Sequence, residues 1–144
     1  MADFRLDDFL PWQLAELADR VSRGLSGLYR DKFGISVAEW RVVAHLSQAE
    51  KVSVREIHAR VRMGKWQVSR AAQRLESRGY IRKRTGRTDR RLVELSLTPK
   101  GRAMVNEIIP LALEYEKELL ARVSGKREAK DLIRSLLKST EASN

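Results

Sequence analysis

The chain has no cysteine among its 144 residues. That excludes disulfides, zinc–thiolate sites and thiol-based redox sensing by this chain. Histidine is nearly as scarce: His45 and His58 stand thirteen positions apart on what read as separate helices. Without a cysteine nucleophile, a glycine-rich phosphate loop or a histidine–carboxylate grouping, nothing points to an enzyme, a metal site or a cofactor. No apolar run approaches the ~20 residues of a membrane span. The acidic opening, residues 1–8, lacks the apolar core of a signal peptide. The expectation is a soluble cytoplasmic protein with no membrane partner.

What is abundant is positive charge. The formal net charge is +10 and the pI about 10.4, a balance that suits a polyanionic partner. Its distribution says more than its size. Residues 51–102 hold 16 Lys/Arg against 4 Asp/Glu, whereas the rest of the chain holds 13 against 15. One segment therefore carries the whole excess, as a nucleic-acid face requires and a solvated surface of mixed charge does not.

The length suits one domain with a real core. Leucines at 10, 14, 17, 25 and 28, with Val21, recur at helical spacing through residues 6–33, and Gly34 is a natural stop. Ser36 with Glu39, and Ser53 with Glu56, read as capping boxes. In each, the serine oxygen accepts a backbone N–H and the glutamate reaches back to the serine's own N–H. The first opens a helix to about Leu46 with Trp40, Val43, Ala44 and Ser47 inward; the second opens a short one with Val54, Ile57 and Val61 inward.

Gly64 is expected to supply the tight turn into the next helix. There Val68, Ala71, Ala72 and Leu75 form one apolar face. The opposite face shows Lys65, Gln67, Arg70, Gln73, Arg74 and Arg78, and Gly79 ends the helix. Val93, Leu95 and Leu97 alternate with Glu94 and Ser96 as in a half-buried strand, with residues 80–83 as its antiparallel partner. Thr98 and Pro99 read as an N-cap and first helical residue. The long helix after them is expected to be interrupted or bent near Pro110, with Leu111, Tyr115, Leu119 and Val123 on one side. Ser124 and Gly125 break it; Leu132, Ile133, Leu136 and Leu137 mark a final helix that frays from Ser139.

The fold class is thus mainly α with a small β-hairpin wing. A winged helix-turn-helix lobe (36–98) stands between terminal helices (6–34 and 99–138) within a single domain, 1–144. Those terminal helices carry more apolar surface than the lobe can cover, so either they pack only on each other or they form an intertwined homodimer, and the dimer is the favoured expectation.

Chemistry assigns the face. Glutamine pairs with adenine N6/N7 and arginine with guanine O6/N7 in the major groove, making Gln67 and Arg70 the candidate base readers. Trp66 beside them suits a sugar or thymine-methyl contact, or else packing at the helix start. Ser53, Lys65, Ser69 and Arg74 are candidate phosphate contacts, which fix register without reading sequence. The hairpin carries Arg82, Lys83, Arg84, Arg87, Arg90 and Arg91. An arginine at its tip fits a narrow minor groove. Arg82, Arg84, Arg87 and Arg91 are the wing's phosphate candidates, and Asp89 is expected to shape the turn through a salt bridge.

The order of elements resembles the MarR family of bacterial regulators (multiple antibiotic resistance regulators). The residues carrying the resemblance are Val68-Ser-Arg-Ala-Ala-Gln-Arg-Leu-Glu-Ser-Arg-Gly-Tyr-Ile81, Thr88-Asp-Arg-Arg91 and Leu95-Ser-Leu-Thr-Pro-Lys-Gly101, and it extends over residues 6–138. It implies a winged helix-turn-helix homodimer with interlocked terminal helices, bound to a pseudo-palindromic double-stranded DNA operator and usually repressing a nearby promoter. On that pattern Trp66, Gln67 and Arg70 fall where family members touch bases, and Arg90 at the wing's minor-groove arginine.

Many members also sense small aromatic carboxylates where the dimerisation helices meet the DNA-binding lobes. This chain resembles the salicylate-responsive members at Arg20, Arg23 and Trp40. Such a site would take an aromatic acid or a related thioester as effector, the arginines holding the carboxylate and the indole stacking on the ring, with His45 and His58 as further candidates. Trp40 also reads as plain core, and the arginines as ion-pair partners of Glu16 and Asp19. The missing cysteine sets the chain apart from the family's oxidant-sensing branch. The competing reading is an architectural DNA-binding protein of low specificity and no effector. An RNA-binding protein fits less well, since only Trp66 and Tyr80 supply aromatics near the basic segment.

Overall fold

In the computed structural model the described residues are 3–86 and 92–141. A single 3-10 turn, Leu6–Asp8, precedes α1 (Leu10–Phe33), so the first helix starts later than its leucine spacing suggests. Then come α2 (Val37–Leu46), β1 (Val52–Ser53), α3 (Val54–Val61), α4 (Lys65–Ser77), β2 (Ile81–Thr85), β3 (Val93–Leu97), α5 (Pro99–Ala121) and α6 (Lys126–Glu141). The sheet has the order β1-β3-β2 and is antiparallel throughout. The expected hairpin is therefore joined by a third strand, β1, whose two residues are too few to show a period.

The fold falls into two compact units, Met1–Pro110 and Leu111–Asn144. The first holds the core. Val42, Val43 and Leu46 of α2, Ile57 and Val61 of α3, and Val68, Ala71, Ala72 and Leu75 of α4 are buried together with Ile81 and Leu95 of the sheet. Tyr29 of α1 and Met104, Val105 and Ile108 of α5 close the cluster. Val68 and Leu75 are wholly excluded from water, each worth roughly 1.5–3 kcal/mol of transfer free energy. That anchorage fixes which face of α4 remains outside.

Several local expectations need correction. On α2 Val43 is buried as expected and Val42 with it, while Trp40, Ala44 and Ser47 are only half-buried. The helix turns Glu39, Val42, Val43 and Leu46 inward, a face rotated from the one read off Trp40. In both capping boxes the serine oxygen accepts the expected N–H, at 3.1 Å from Glu39 N and 3.1 Å from Glu56 N. The glutamates, however, accept from the serine hydroxyls rather than from the serine backbone. Gly34 ends α1 as expected, in the left-handed region (φ 65°) with its N–H bonded to the Arg30 carbonyl. α5 continues through Pro110 without interruption.

The second unit comprises the latter part of α5 together with α6. α5 stops at Ala121, so Val123 lies beyond the helix face assigned to it. α6 persists to Glu141 instead of fraying at Ser139. The hydroxyls of Ser139 and Thr140 both donate to the Leu136 carbonyl. A Lys130–Glu116 ion pair at 3.2 Å joins the two segments. Leu111, Leu113, Leu132, Ile133 and Leu137 are exposed in this unit, as are Leu6, Leu10, Leu14, Leu17 and Leu28 in the first. Among the described residues no helix is long and apolar enough to cross a membrane.

Candidate nucleic-acid interface

The turn between α3 and α4 is built differently from its glycine's promise. The left-handed residue is Arg62, at φ 57°, whereas Gly64 is extended at φ −64° and uses a conformation open to any residue. His58 Nδ1–H donates to the Met63 carbonyl at 2.8 Å and braces the turn. The reciprocal cap the sequence hides is at the next helix start. Gly64 N–H donates to Gln67 Oε1 at 3.1 Å, so one of Gln67's two amide functions is already engaged.

With Val68, Ala71, Ala72 and Leu75 buried, the opposite side of α4 presents Lys65, Trp66, Gln67, Ser69, Arg70, Gln73 and Arg74 to solvent. Trp66 is 68% exposed, which removes the option of a packed residue at the helix start. Arg70, one turn on, places its guanidinium 4.9 Å from the Trp66 ring centroid, a cation–π pair. Together with Ser69, Gln73, Glu76 and Lys83 they line one open groove along the helix. No carboxylate among the described residues forms a salt bridge with Lys65, Arg70 or Arg74.

The sheet register divides the wing. Ile81, Lys83 and Thr85 stand opposite Leu97, Leu95 and Val93, while Arg82 and Arg84 stand opposite Ser96 and Glu94. Because successive side chains alternate, Arg82 and Arg84 share the sheet face away from the buried Ile81 and Leu95. They line a separate cleft with Glu50, Lys51 and Glu94. Ser53 is only 8% exposed, and its hydroxyl is used by the α3 cap. Of the phosphate candidates it has least to offer a ligand. Arg87, Asp89, Arg90 and Arg91 lie outside the described residues.

At the far end of α4 the cations serve the protein itself. Arg78, read from sequence as part of the exposed basic face, donates to the carbonyls of Phe33 (2.6 Å) and Gly34 (3.1 Å). It thereby satisfies acceptors that a helix C-terminus leaves without partners. Its guanidinium also lies 5.1 Å from the Tyr80 ring. Lys100 Nζ sits 4.7 Å from that ring and donates to the Arg78 carbonyl at 2.7 Å. Thr98 Oγ1 accepts from Gly101 N–H at 3.0 Å and donates to the Gly79 carbonyl. Gly101 is obligatory there, since a Cβ would lie 1.9 Å from the Tyr80 carbonyl oxygen. Sequence reading found Thr98 as an N-cap and Gly101 only within the family motif, and it missed the junction because the acceptors are backbone atoms 19 to 45 positions away.

The proposed effector residues are less concentrated. Arg20 bonds Glu16 at 2.9 Å and Arg23 bonds Asp19 at 2.5 Å, both one turn back on α1. Trp40 stacks on Tyr29 at 5.5 Å between centroids. Burial raises the Tyr29 hydroxyl above its ordinary pKa, opposed by Arg30 and Arg41. His45 is shifted down, chiefly by burial and secondarily by the charge of Arg60. Among the described residues no group of three or more His, Asp or Glu side chains could hold a metal ion.

Residues 33–92 match the model of the MarR family. The chain is similar to a MarR/EmrR family transcriptional regulator from Acinetobacter sp. ADP1: 31% identity, TM-score 0.84, 97% of each chain covered. It is also similar to the HTH-type transcriptional regulator PapX of Escherichia coli, 28% identical over 116 residues, or 77% of this chain and 71% of PapX. A further structural likeness, at 20% identity and TM-score 0.83 over 97% of this chain and 99% of the other, is to BpsR of Bordetella bronchiseptica. The DNA binding of BpsR is regulated by 6-hydroxynicotinic acid.

Proposed function

The chain belongs to the MarR family of winged helix-turn-helix transcriptional regulators, and from that premise we propose that it is a homodimeric repressor of a pseudo-palindromic operator. The observation that carries the reading is the α4 surface. Its inner face is locked into the core, while Trp66, Gln67 and Arg70 stand outward beside cations with no carboxylate partner among the described residues. Arg70 supplies guanine recognition, Gln67 and Trp66 the neighbouring contacts, and Lys65, Ser69 and Arg74 the phosphate contacts. Arg90 is assigned to the minor groove, with Arg87 and Arg91 as backbone contacts of the wing.

The exposed leucines of α1 and α6 supply the surface for a second copy, which links two recognition helices and multiplies their affinity. The effector is proposed to be a small aromatic acid or its thioester, held by Arg20, Arg23 and Trp40. It would act by favouring a conformation with the wrong spacing between recognition helices. The regulation of BpsR by an aromatic acid supports that ligand class. The pairing of both arginines with carboxylates favours a second reading, a DNA binder with no effector at this place.

Selection of bound duplexes from a random pool, with and without aromatic acids and their thioesters, tests all of this. A pseudo-palindrome with half-site centres ~10 base pairs apart is expected. Loss of that enrichment with one compound identifies the effector class. Enrichment untouched by every compound supports the effector-free reading, and no enrichment at moderate salt defeats the repressor.

A further inference from the structure

We propose that Lys83, and neither Arg82 nor Arg84, is the cation of strand β2 that completes the DNA-binding face, by contacting the phosphate backbone where it passes between α4 and the wing. The inference rests on the DNA-binding reading above and assigns a residue that reading does not use.

The position of Lys83 is unusual for a lysine. Its cross-strand partner is Leu95, which is wholly buried. The neighbour two residues before it, Ile81, is buried as well. Lys83 therefore occupies the core-facing side of the sheet, where a charged group is costly unless its head escapes. A lysine escapes by laying its methylene stem along apolar surface and carrying the ammonium outward. The neighbouring side chains on α4 are small enough to allow this. Lys83 lines one cleft with Ser69, Ala72, Ser53 and Arg55, and a second with Trp66, Ser69, Arg70 and Gln73. It is half-buried and common to both clefts.

The charge in this groove is graded. Trp66, Ser69, Arg70, Gln73 and Glu76 follow one another along α4, so Glu76 lies ~15 Å from Trp66. Glu76 is the groove's one carboxylate among the described residues, and it repels phosphate at the C-terminal end. Anion binding is thus directed to the N-terminal half, which holds Ser69, the α4 residue that borders both of the clefts lined by Lys83. No salt bridge among the described residues occupies Lys83. As a compact charge without a planar fork it suits a phosphate better than a base edge. Arg82 and Arg84 have more conspicuous chemistry, but they stand on the other face of the sheet beside Glu50 and Glu94.

The test compares the salt dependence of binding to the selected operator duplex for the wild type, Lys83→Met, Lys83→Arg and the double variant Arg82→Ala/Arg84→Ala. Methionine keeps the unbranched stem against α4 and removes only the charge, and thermal unfolding checks that each variant folds. Each phosphate contact contributes about −0.9 to the slope of log K against log salt. Lys83→Met should lower the slope by about that amount and weaken binding several-fold at moderate salt. Lys83→Arg should restore it, and the double variant should keep the wild-type slope. An unchanged slope in Lys83→Met, or a loss of about two contacts in the double variant, overturns the assignment. A wild-type chain that binds duplex without selecting any operator defeats the repressor reading alone, since the same slopes measured on random duplex still decide Lys83.

Discussion

Arg74, in the last turn of α4, and Arg78, the C-cap that follows that helix, are four residues apart and differently engaged. Arg74 is exposed and takes part in no salt bridge among the described residues. Arg78 is equally exposed, yet both ends of its guanidinium fork are bonded to carbonyls at the end of α1. The division extends around each of them. Toward the N-terminus of α4, Lys65 and Arg70 have no carboxylate partner among the described residues; toward its C-terminus, Arg78, Lys100 and Thr98 are spent on backbone acceptors. A positive segment is therefore not one surface. Some of its cations are left facing solvent and others fasten the protein internally, and side-chain type does not tell them apart.

The difference is broken most severely on the fastening side. Gly101→Ala forces a methyl group against the Tyr80 carbonyl, at 1.9 Å in the existing backbone. Neither the first turn of α5 nor the start of β2 can yield without disturbing the Thr98 bonds. A loss of about 3 kcal/mol is expected, at the upper end of the range for overpacking, read as a lowered denaturant midpoint. On the DNA-facing side, Arg70→Ala should leave that midpoint within about 0.5 kcal/mol of the wild type, as for other exposed substitutions. It should instead remove about 2 kcal/mol of discrimination at one position of each half-site. Equal loss on every duplex sequence would make Arg70 a phosphate contact.

Arg78→Ala comes next. Two charge-assisted bonds to otherwise unpartnered carbonyls disappear, and the exposed location moderates the loss to about 1.5 kcal/mol. Arg78→Lys should recover only part of it, because one ammonium cannot replace a planar fork at two acceptors. The salt slope of DNA binding should not change in either variant. A slope reduced by about 1 would move Arg78 to the other side of the comparison.

How much of this was legible in the sequence follows from the range of the interactions concerned. Helices α2, α3 and α4 are readable because their apolar spacing, and for α2 and α3 their N-cap serines, are local signals. Trp66, Gln67 and Arg70 share an exposed face for the same reason: Val68, Ala71, Ala72 and Leu75 fix the opposite one. β1 was not readable, since two residues carry no periodicity and its partner, β3, begins some 40 positions later. The turn was misassigned to Gly64 because glycine is the usual left-handed residue, whereas Arg62 takes that conformation between the buried Val61 and Met63. Residue type alone assigns Arg82 and Arg84 to phosphate and leaves Lys83 without a role. Only the register, which depends on which residue of β3 faces Lys83, separates Lys83 from Arg82 and Arg84.

The smallest effect reports on the cationic field of the lobe at His45. His45 is held below its ordinary pKa first by burial and then by the cation of Arg60. Its imidazole therefore stays neutral in the folded chain at pH values where the unfolded chain begins to bind a proton. By linkage, its contribution to stability is complete above the unfolded value of about 6.5 and declines as pH falls through the folded one. Arg60→Ala removes the charge but not the burial. The His45 pKa, followed by the ring-proton shift in NMR, should rise part of the way toward its ordinary value, and the acid-side loss of stability should shrink with it. Adding duplex should move it in the same direction, since phosphates brought to the lobe offset the field of Arg60. A titration unmoved by either change would mean that burial alone sets the shift, and that the cationic field at His45 is already screened by solvent.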